Sequence, residues 1–238
     1  MTIVHIVPVL KDNYCYILEM NGRSAIIDPG EADPVINYCK NNDITPELII
    51  NTHHHGDHIA GNTKLAETYN CQIAAPKAEA DKIGRVEIPL DEKHVFEFAG
   101  EKARILETPG HTLGHICLYF EKDRILFSGD TLFSLGCGRL FEGSAEQMWK
   151  SLQKILELPD DTRIYPGHEY TKANAEFCLS IDPDNSDLKE RYEQVMLAAH
   201  NNQPTIPVTL AIEKKTNAFL RVNSALEFAD LRQKKDSF

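Results

Sequence analysis

Four times in its first 170 residues the chain runs a short apolar stretch into a glycine-containing turn that carries a metal-binding side chain. ELIINTHHHGDH brings His53, His54, His55, Asp57 and His58 together, ARILETPGHT delivers His111, RILFSGDT delivers Asp130 and TRIYPGHE delivers His168. Strands in a layered fold lie side by side, so their ends line one edge and their loops can converge on a point. The repetition predicts an α/β fold with one site built from four strand ends. His53 and His55 are two apart, so in extended chain they project to one side and can chelate one ion. His54 then points the other way. Asp57 and His58 stand where a helix begins and turn toward a second point, so one loop can serve two neighbouring metals. Imidazole and carboxylate suit zinc, iron or manganese, and the lack of cysteine in the set argues against a closed structural zinc site. Buried without a cation, such a set would leave costly unpaired groups. Isolated histidines such as His5, His94 and His115 read as surface or satisfied core, and His200 as a partner of helix-end carbonyls.

Around these motifs, YCYILEM and RSAIIDPG read as strands joined by the hairpin signal Asn21-Gly22. DPVINYCKNN, the segment after His58 and SAEQMWKSLQKILEL read as amphipathic helices. Beyond Tyr170 the texture becomes helical in TKANAEFCLSI, NSDLKERYEQVMLAAHNN and SALEFADLRQKK. The expected organisation is a catalytic domain over 1–170 and a smaller helical, substrate-binding region over 171–238. Hydrophobic residues make up 42% of the chain, enough for a sizeable core. A formal charge of −11 argues against a nucleic-acid or membrane-surface binder. No apolar run approaches the ~20 residues that span a bilayer. The start lacks the charged region and cleavage site of a signal peptide. Six cysteines without a CxxC pair fit free thiols in a reducing cytosol, so a cytoplasmic location is expected.

The HxHxDH run with the later His, Asp and His resembles the metallo-β-lactamase superfamily, in order over residues 3–168. The resemblance implies an αββα sandwich with metals at one edge. Carried over by position, it implies that His53, His55 and His111 hold one metal and that Asp57, His58 and His168 hold a second. Asp130 would bridge the two, and His54 would take a packing or supporting role. Two divalent ions, zinc foremost with iron or manganese as alternatives, would clamp a hydrolytic reaction, with Asp57 and Asp130 as catalytic carboxylates and hydroxide held between the metals as nucleophile.

DNYCYIL, GDTLFSLGCGRLFEG, YPGHEYT, NAFLRV and LRQKKDSF closely resemble the glyoxalase II, or hydroxyacylglutathione hydrolase, family over nearly the full length. That family hydrolyses S-D-lactoylglutathione to D-lactate and glutathione, the second step of methylglyoxal detoxification. The implied substrate contacts are Arg139, Phe141, His168, Tyr170, Arg232 and Lys235. Glutathione carries two carboxylates, and Arg232 and Lys235 share a helix face suited to gripping one of them. Phe141 stands where some members have tyrosine, Ala218 where some have proline, and Gly56 where some have a bulky aromatic. The implied partner is a small-molecule glutathione thioester, with no nucleic acid or membrane, and a monomer is expected. The alternatives are a mononuclear iron persulfide dioxygenase acting on glutathione persulfide and a non-catalytic metal-binding module. An RNA-processing nuclease fits the charge poorly.

Overall fold

In the computed structural model, which describes residues 2–238, the chain divides into two compact units. One comprises the residues up to Glu107 with Gly114–Asp123, the other Thr108–Leu113 with Arg124–Phe238.

The first unit is built on six strands: β1 (Thr2–Val9), β2 (Asn13–Met20), β3 (Arg23–Ile27), β4 (Leu48–Ile50), β5 (Gln72–Pro76) and β6 (Ile88–Leu90), adjacent in that order. β1, β2 and β3 are antiparallel, with Val4 opposite Leu18 and Ile17 opposite Ile26. The β2–β3 turn is Asn21-Gly22, both with positive φ (50° and 80°), as a two-residue hairpin requires. From β3 onward the strands are parallel, with Ile26 beside Ile49 and Ile49 beside Ile73. Parallel neighbours need crossovers. These are α1 (Ala32–Asn41), the short α2 (Gly56–Ile59) followed by α3 (Asn62–Tyr69), and the short α4 (Ala80–Ile83). Helix α1 buries Ala32, Val35, Ile36 and Cys39, a stripe at helical period. They share a core with Ile17, Ile26, Ile49, Leu65 and Ile73. The unit also holds the antiparallel strands β7 (Phe96–Phe98), β8 (Glu101–Glu107) and β9 (Ile116–Phe120).

In the second unit β10 (Ile125–Gly129) runs parallel to β13 (Arg163–Pro166), which pairs antiparallel with β14 (Val208–Thr209). Between β10 and β13 lie the hairpin β11 (Leu132–Phe133) and β12 (Gly136–Cys137), then α5 (Ala145–Leu156). Ser144 and Gln147 close a reciprocal capping box at the start of α5. Helices α6 (Thr171–Ile181), α7 (Ser186–His200), α8 (Leu210–Thr216) and α9 (Ala225–Asp236) complete the unit. Asn185 caps α7 and Ser224 caps α9 through their side-chain oxygens. Helix α9 packs on α5, and α6 on α7. The buried face of α9 is Phe228, Leu231 and Arg232, so an apolar stripe continues into a cation. Residues 171–238 thus fold in one unit with residues 124–170. Among the described residues, no helix is long and apolar enough to cross a membrane.

Candidate metal centre

The loop after β4 is shaped by the end of β3. Asp28 accepts the backbone N–H of Thr52 at 2.8 Å and the Thr52 hydroxyl at 2.7 Å. A Cβ on Gly30 would fall inside the backbone carbonyl of Asp57, so the Asp28-Pro29-Gly30 turn closes against the loop only because residue 30 has no side chain. Asn51 and Asn62 exchange amide hydrogen bonds, and Asn51 also donates to the carbonyl of His58. Asn13 donates to Asp57 Oδ2 at 2.9 Å and aims that carboxylate.

These contacts bear on which nitrogen of each ring carries the proton. The Thr52 hydroxyl spends its proton on Asp28, so in the 3.0 Å contact with His53 it is His53 Nδ1 that donates. His53 Nε2 then carries a lone pair, and it faces His55 Nδ1 at 3.1 Å. His58 Nδ1 lies 3.1 Å from Asp28 Oδ2, which favours its proton there and leaves Nε2 toward Asp57 Oδ2, 3.8 Å away. His54 turns aside: its N–H and Nδ1 both meet Glu79 Oε2, at 2.7 and 2.8 Å, while Glu79 Oε1 accepts from Gly114. His54 is thereby hydrogen-bonded to a buried carboxylate. His115, taken as core or surface, is fully buried with its ring 4.9 Å from that of His53.

The second unit presents His111, Asp130 and His168, all buried. His111 Nδ1 donates to the backbone carbonyl of Arg139 at 2.9 Å, so Nε2 is again the basic nitrogen. It points at Asp130 Oδ2 across 3.3 Å, and His168 Nε2 reaches the same oxygen at 3.3 Å. A lone pair facing a carboxylate oxygen is repulsive unless a proton or cation lies between them, and these residues therefore fit a metal. Gly138 permits the arrangement, since a Cβ there would overlap the carbonyl of Asp130. The imidazole and carboxylate clusters are metal-binding in their chemistry. All six cysteines are free and buried, and none belongs to the donor sets.

The expected substrate contacts all lie in the second unit. Tyr170 stacks on His168, with ring centroids 4.6 Å apart and planes 6° apart, and meets Phe133 edge-on. Phe141 is 64% exposed and meets the His111 ring edge-on at 5.2 Å. Arg139 is exposed. Arg232 is buried: it donates from Nη1 to the carbonyl of Cys137 (3.0 Å) and from Nε to Asp236 Oδ1 (3.1 Å), its Nη2 pairs with the same oxygen at 2.9 Å, and its guanidinium lies over Phe219. Lys235 donates to the carbonyl of Ala173 and sits over Phe177 and Phe238. Burial lowers the Lys235 pKa, and the charges of Arg232 and Arg139 lower it further. The thiol of Cys137 is pushed up to about 11 by burial, although Arg232 draws it down. Helical spacing put Arg232 and Lys235 on one face, but it carried no sign that Arg232 already holds a carboxylate. Asp28, Asn13, Glu79 and Asp236 went unread as well. Only Asp28 had a visible signal, a strand-end carboxylate before Pro-Gly like the other four strand ends.

Residues 10–168 match the metallo-β-lactamase superfamily and residues 169–238 match the family described as hydroxyacylglutathione hydrolase C-terminus. The fold agrees with solved structures: ETHE1 from Myxococcus xanthus (TM-score 0.74, 22% identity, 97% of this chain and 90% of that one) and BLEG-1 B3 metallo-β-lactamase (0.72, 22%, 92% and 100%). Fold and donor sets together define a mixed α/β metallo-β-lactamase fold with a C-terminal helical region. Hydroxyacylglutathione hydrolases from Pelagibacter ubique and Rhizobium meliloti are each 43% identical to it, over 99% and 95% of both chains. A third, from Methylococcus capsulatus, is 41% identical over 98% of this chain and 97% of its own. The chain belongs to the hydroxyacylglutathione hydrolase family.

Proposed function

We propose that the protein is a thioester hydrolase that converts S-D-lactoylglutathione and water to D-lactate and glutathione. The reading rests on family membership over the full length and on one observation of chemistry. Two imidazoles, His53 and His111, have Nδ1 hydrogen-bonded to protein oxygens and so present Nε2 for coordination, and His58 Nδ1 lies 3.1 Å from the Asp28 carboxylate. His53, His55 and His111 would hold one divalent cation, Asp57, His58 and His168 a second, and Asp130 both; zinc suits this donor set best, with iron or manganese as alternatives. Such cations supply Lewis acidity toward the thioester carbonyl and acidify water near neutral pH.

The chain's own residues do the rest. Asp57, aimed by Asn13, and Asp130, shared by two imidazoles, orient the attacking oxygen. Tyr170 and Phe141 flank the donor rings with aromatic surface suited to the acyl-thioester part of the substrate. Arg139, Arg232 and Lys235 supply the positive charge that a tripeptide with two carboxylates needs. Residues 1–170 would carry the reaction and 171–238 the grip on glutathione, in a cytoplasmic monomer that needs neither nucleic acid nor membrane. Purified protein is expected to cleave S-D-lactoylglutathione and to stop on chelation. Asp130→Asn or His55→Ala should remove metal and turnover together. Full turnover by metal-stripped protein would overturn the reading.

A further inference from the structure

Arg232 and Arg139 converge on one carboxylate, with Lys235 on the same helix. Asp236 Oδ1 takes both Nε and Nη2 of Arg232 and stands 4.0 Å from Nε of Arg139. The Arg232 side chain is 6% exposed, whereas that of Asp236 is 47% exposed. The inner edge of the guanidinium is fixed on the Cys137 carbonyl, so the edge toward solvent is the one Asp236 covers. The depression of the Lys235 pKa by Arg232 and Arg139, after burial, marks the three cations as close enough to repel one another. In a chain of net charge −11, a pair of arginines meeting on one carboxylate beside a third cation has the form of an anion site already filled from within.

We infer that Asp236 is an internal stand-in for a substrate carboxylate: it keeps Arg232 aimed, and it yields the outer edge of the guanidinium when a carboxylate of the bound thioester arrives. The inference rests on the proposed function, because that reading supplies the carboxylate. The physical reason is competition. A guanidinium edge binds one carboxylate in bidentate fashion, and two carboxylates on the same edge repel each other. A bare Arg232 would bind more tightly but would also hold any passing anion. Occupation by Asp236 raises the threshold for ligands that do not bring a second point of attachment.

Asp236→Asn keeps the shape and an acceptor oxygen but removes the competing charge. The expected result is a three- to tenfold lower KM for S-D-lactoylglutathione, carried by KM more than by kcat, and a matching fall in the inhibition constant of free glutathione. Asp236→Glu, which keeps the charge, should stay within about twofold of the wild-type KM. With the glycine carboxylate of the substrate converted to an amide, the advantage of Asp236→Asn should vanish. A KM that is unchanged or raised in a folded Asp236→Asn protein overturns the inference, since Asp236 would then only brace Arg232. If that variant fails to fold, Asp236→Ser carries the same test, and glutathione binding by calorimetry reads it without turnover. Wild-type protein that cleaves no thioester would instead sink the reaction itself.

Discussion

The two units orient their donor rings by different means. In the first, side chains do so: Thr52 and Asp28 fix the tautomer of His53, and the Asp28 carboxylate lies 3.1 Å from His58 Nδ1. In the second, His111 is fixed by a main-chain carbonyl, that of Arg139, brought close because Gly138 has no Cβ. An arrangement held by side chains can be tuned by one substitution in a loop. One held by backbone resists side-chain change and fails only when the chain path moves. The largest contrast should come from Gly138→Ala, which drives a methyl group into the carbonyl of Asp130. Metal content and turnover are expected to fall together to background. Arg139→Ala leaves the carbonyl of residue 139 in place, so metal content should remain at the wild-type level while KM rises. Metal loss in Arg139→Ala would show that a side chain holds the second unit's donors after all.

Asp28→Asn tests the other side. An amide that accepts from the Thr52 N–H through one oxygen turns an NH2 toward the Thr52 hydroxyl and His58 Nδ1, where two acceptor contacts stood before. Loss of such an outer partner lowers metal affinity about 10- to 100-fold. Competition with a chromophoric chelator measures it, and affinity equal to wild type would mean that Asp28 serves folding alone.

The same contrast separates what is legible in the sequence from what is not. The hairpin at Asn21-Gly22 and the helices at 32–41, 145–156, 171–181, 186–200 and 225–236 are local in sequence, and the histidines and aspartates of the clusters follow a repeated pattern. The partners of those donors do not. Asn13 meets Asp57 and Glu79 meets His54 across long stretches of chain, and a lone polar residue in a strand or turn has no period to betray it. Arg232 and Asp236 are four apart, a spacing that normally marks a weak exposed pair. Here the packing of α9 on α5 buries the arginine, and only tertiary structure decides that.

Glu213 is a fourth unread carboxylate and a milder test of long-range bracing. From α8 it accepts from the Ser134 hydroxyl at 3.0 Å, from the Leu135 N–H at 2.8 Å and from Asn217 at 2.8 Å, pinning the β11–β12 turn where Leu135 takes φ 59°. Complete burial raises its pKa, against the lowering effect of those three bonds and of Arg191. The native state therefore keeps this proton to higher pH than the unfolded chain does. Stability from this group is fully present below the unfolded carboxylate value and is lost as pH rises toward the folded one. Glu213→Gln, which can accept from Leu135 and Asn217 and donate to Ser134, has no such loss. Its melting temperature should gain on wild type as pH rises above about 4.5. Glu213→Ala strands buried donors at about 1–3 kcal/mol per group and should melt lower at every pH. A gap between Glu213→Gln and wild type that ignores pH would remove the proton linkage.

Phe141→Tyr should have the smallest effect and isolates a single atom in the second unit. The ring of Phe141 already meets His111 edge-on, and it is 64% exposed, so an added hydroxyl needs no room made for it. The backbone that fixes His111 is untouched, and metal content should not move. A neutral hydrogen bond to bound substrate contributes about 0.5–1.5 kcal/mol net, and exposure places this one at the low end. KM for S-D-lactoylglutathione should fall about two- to threefold with kcat steady, the pattern of a contact made equally in ground and transition states. A change in kcat without a change in KM would place residue 141 among the groups that act on the reacting atoms rather than on the grip. The side-chain half of the comparison would then extend into the unit that backbone otherwise governs.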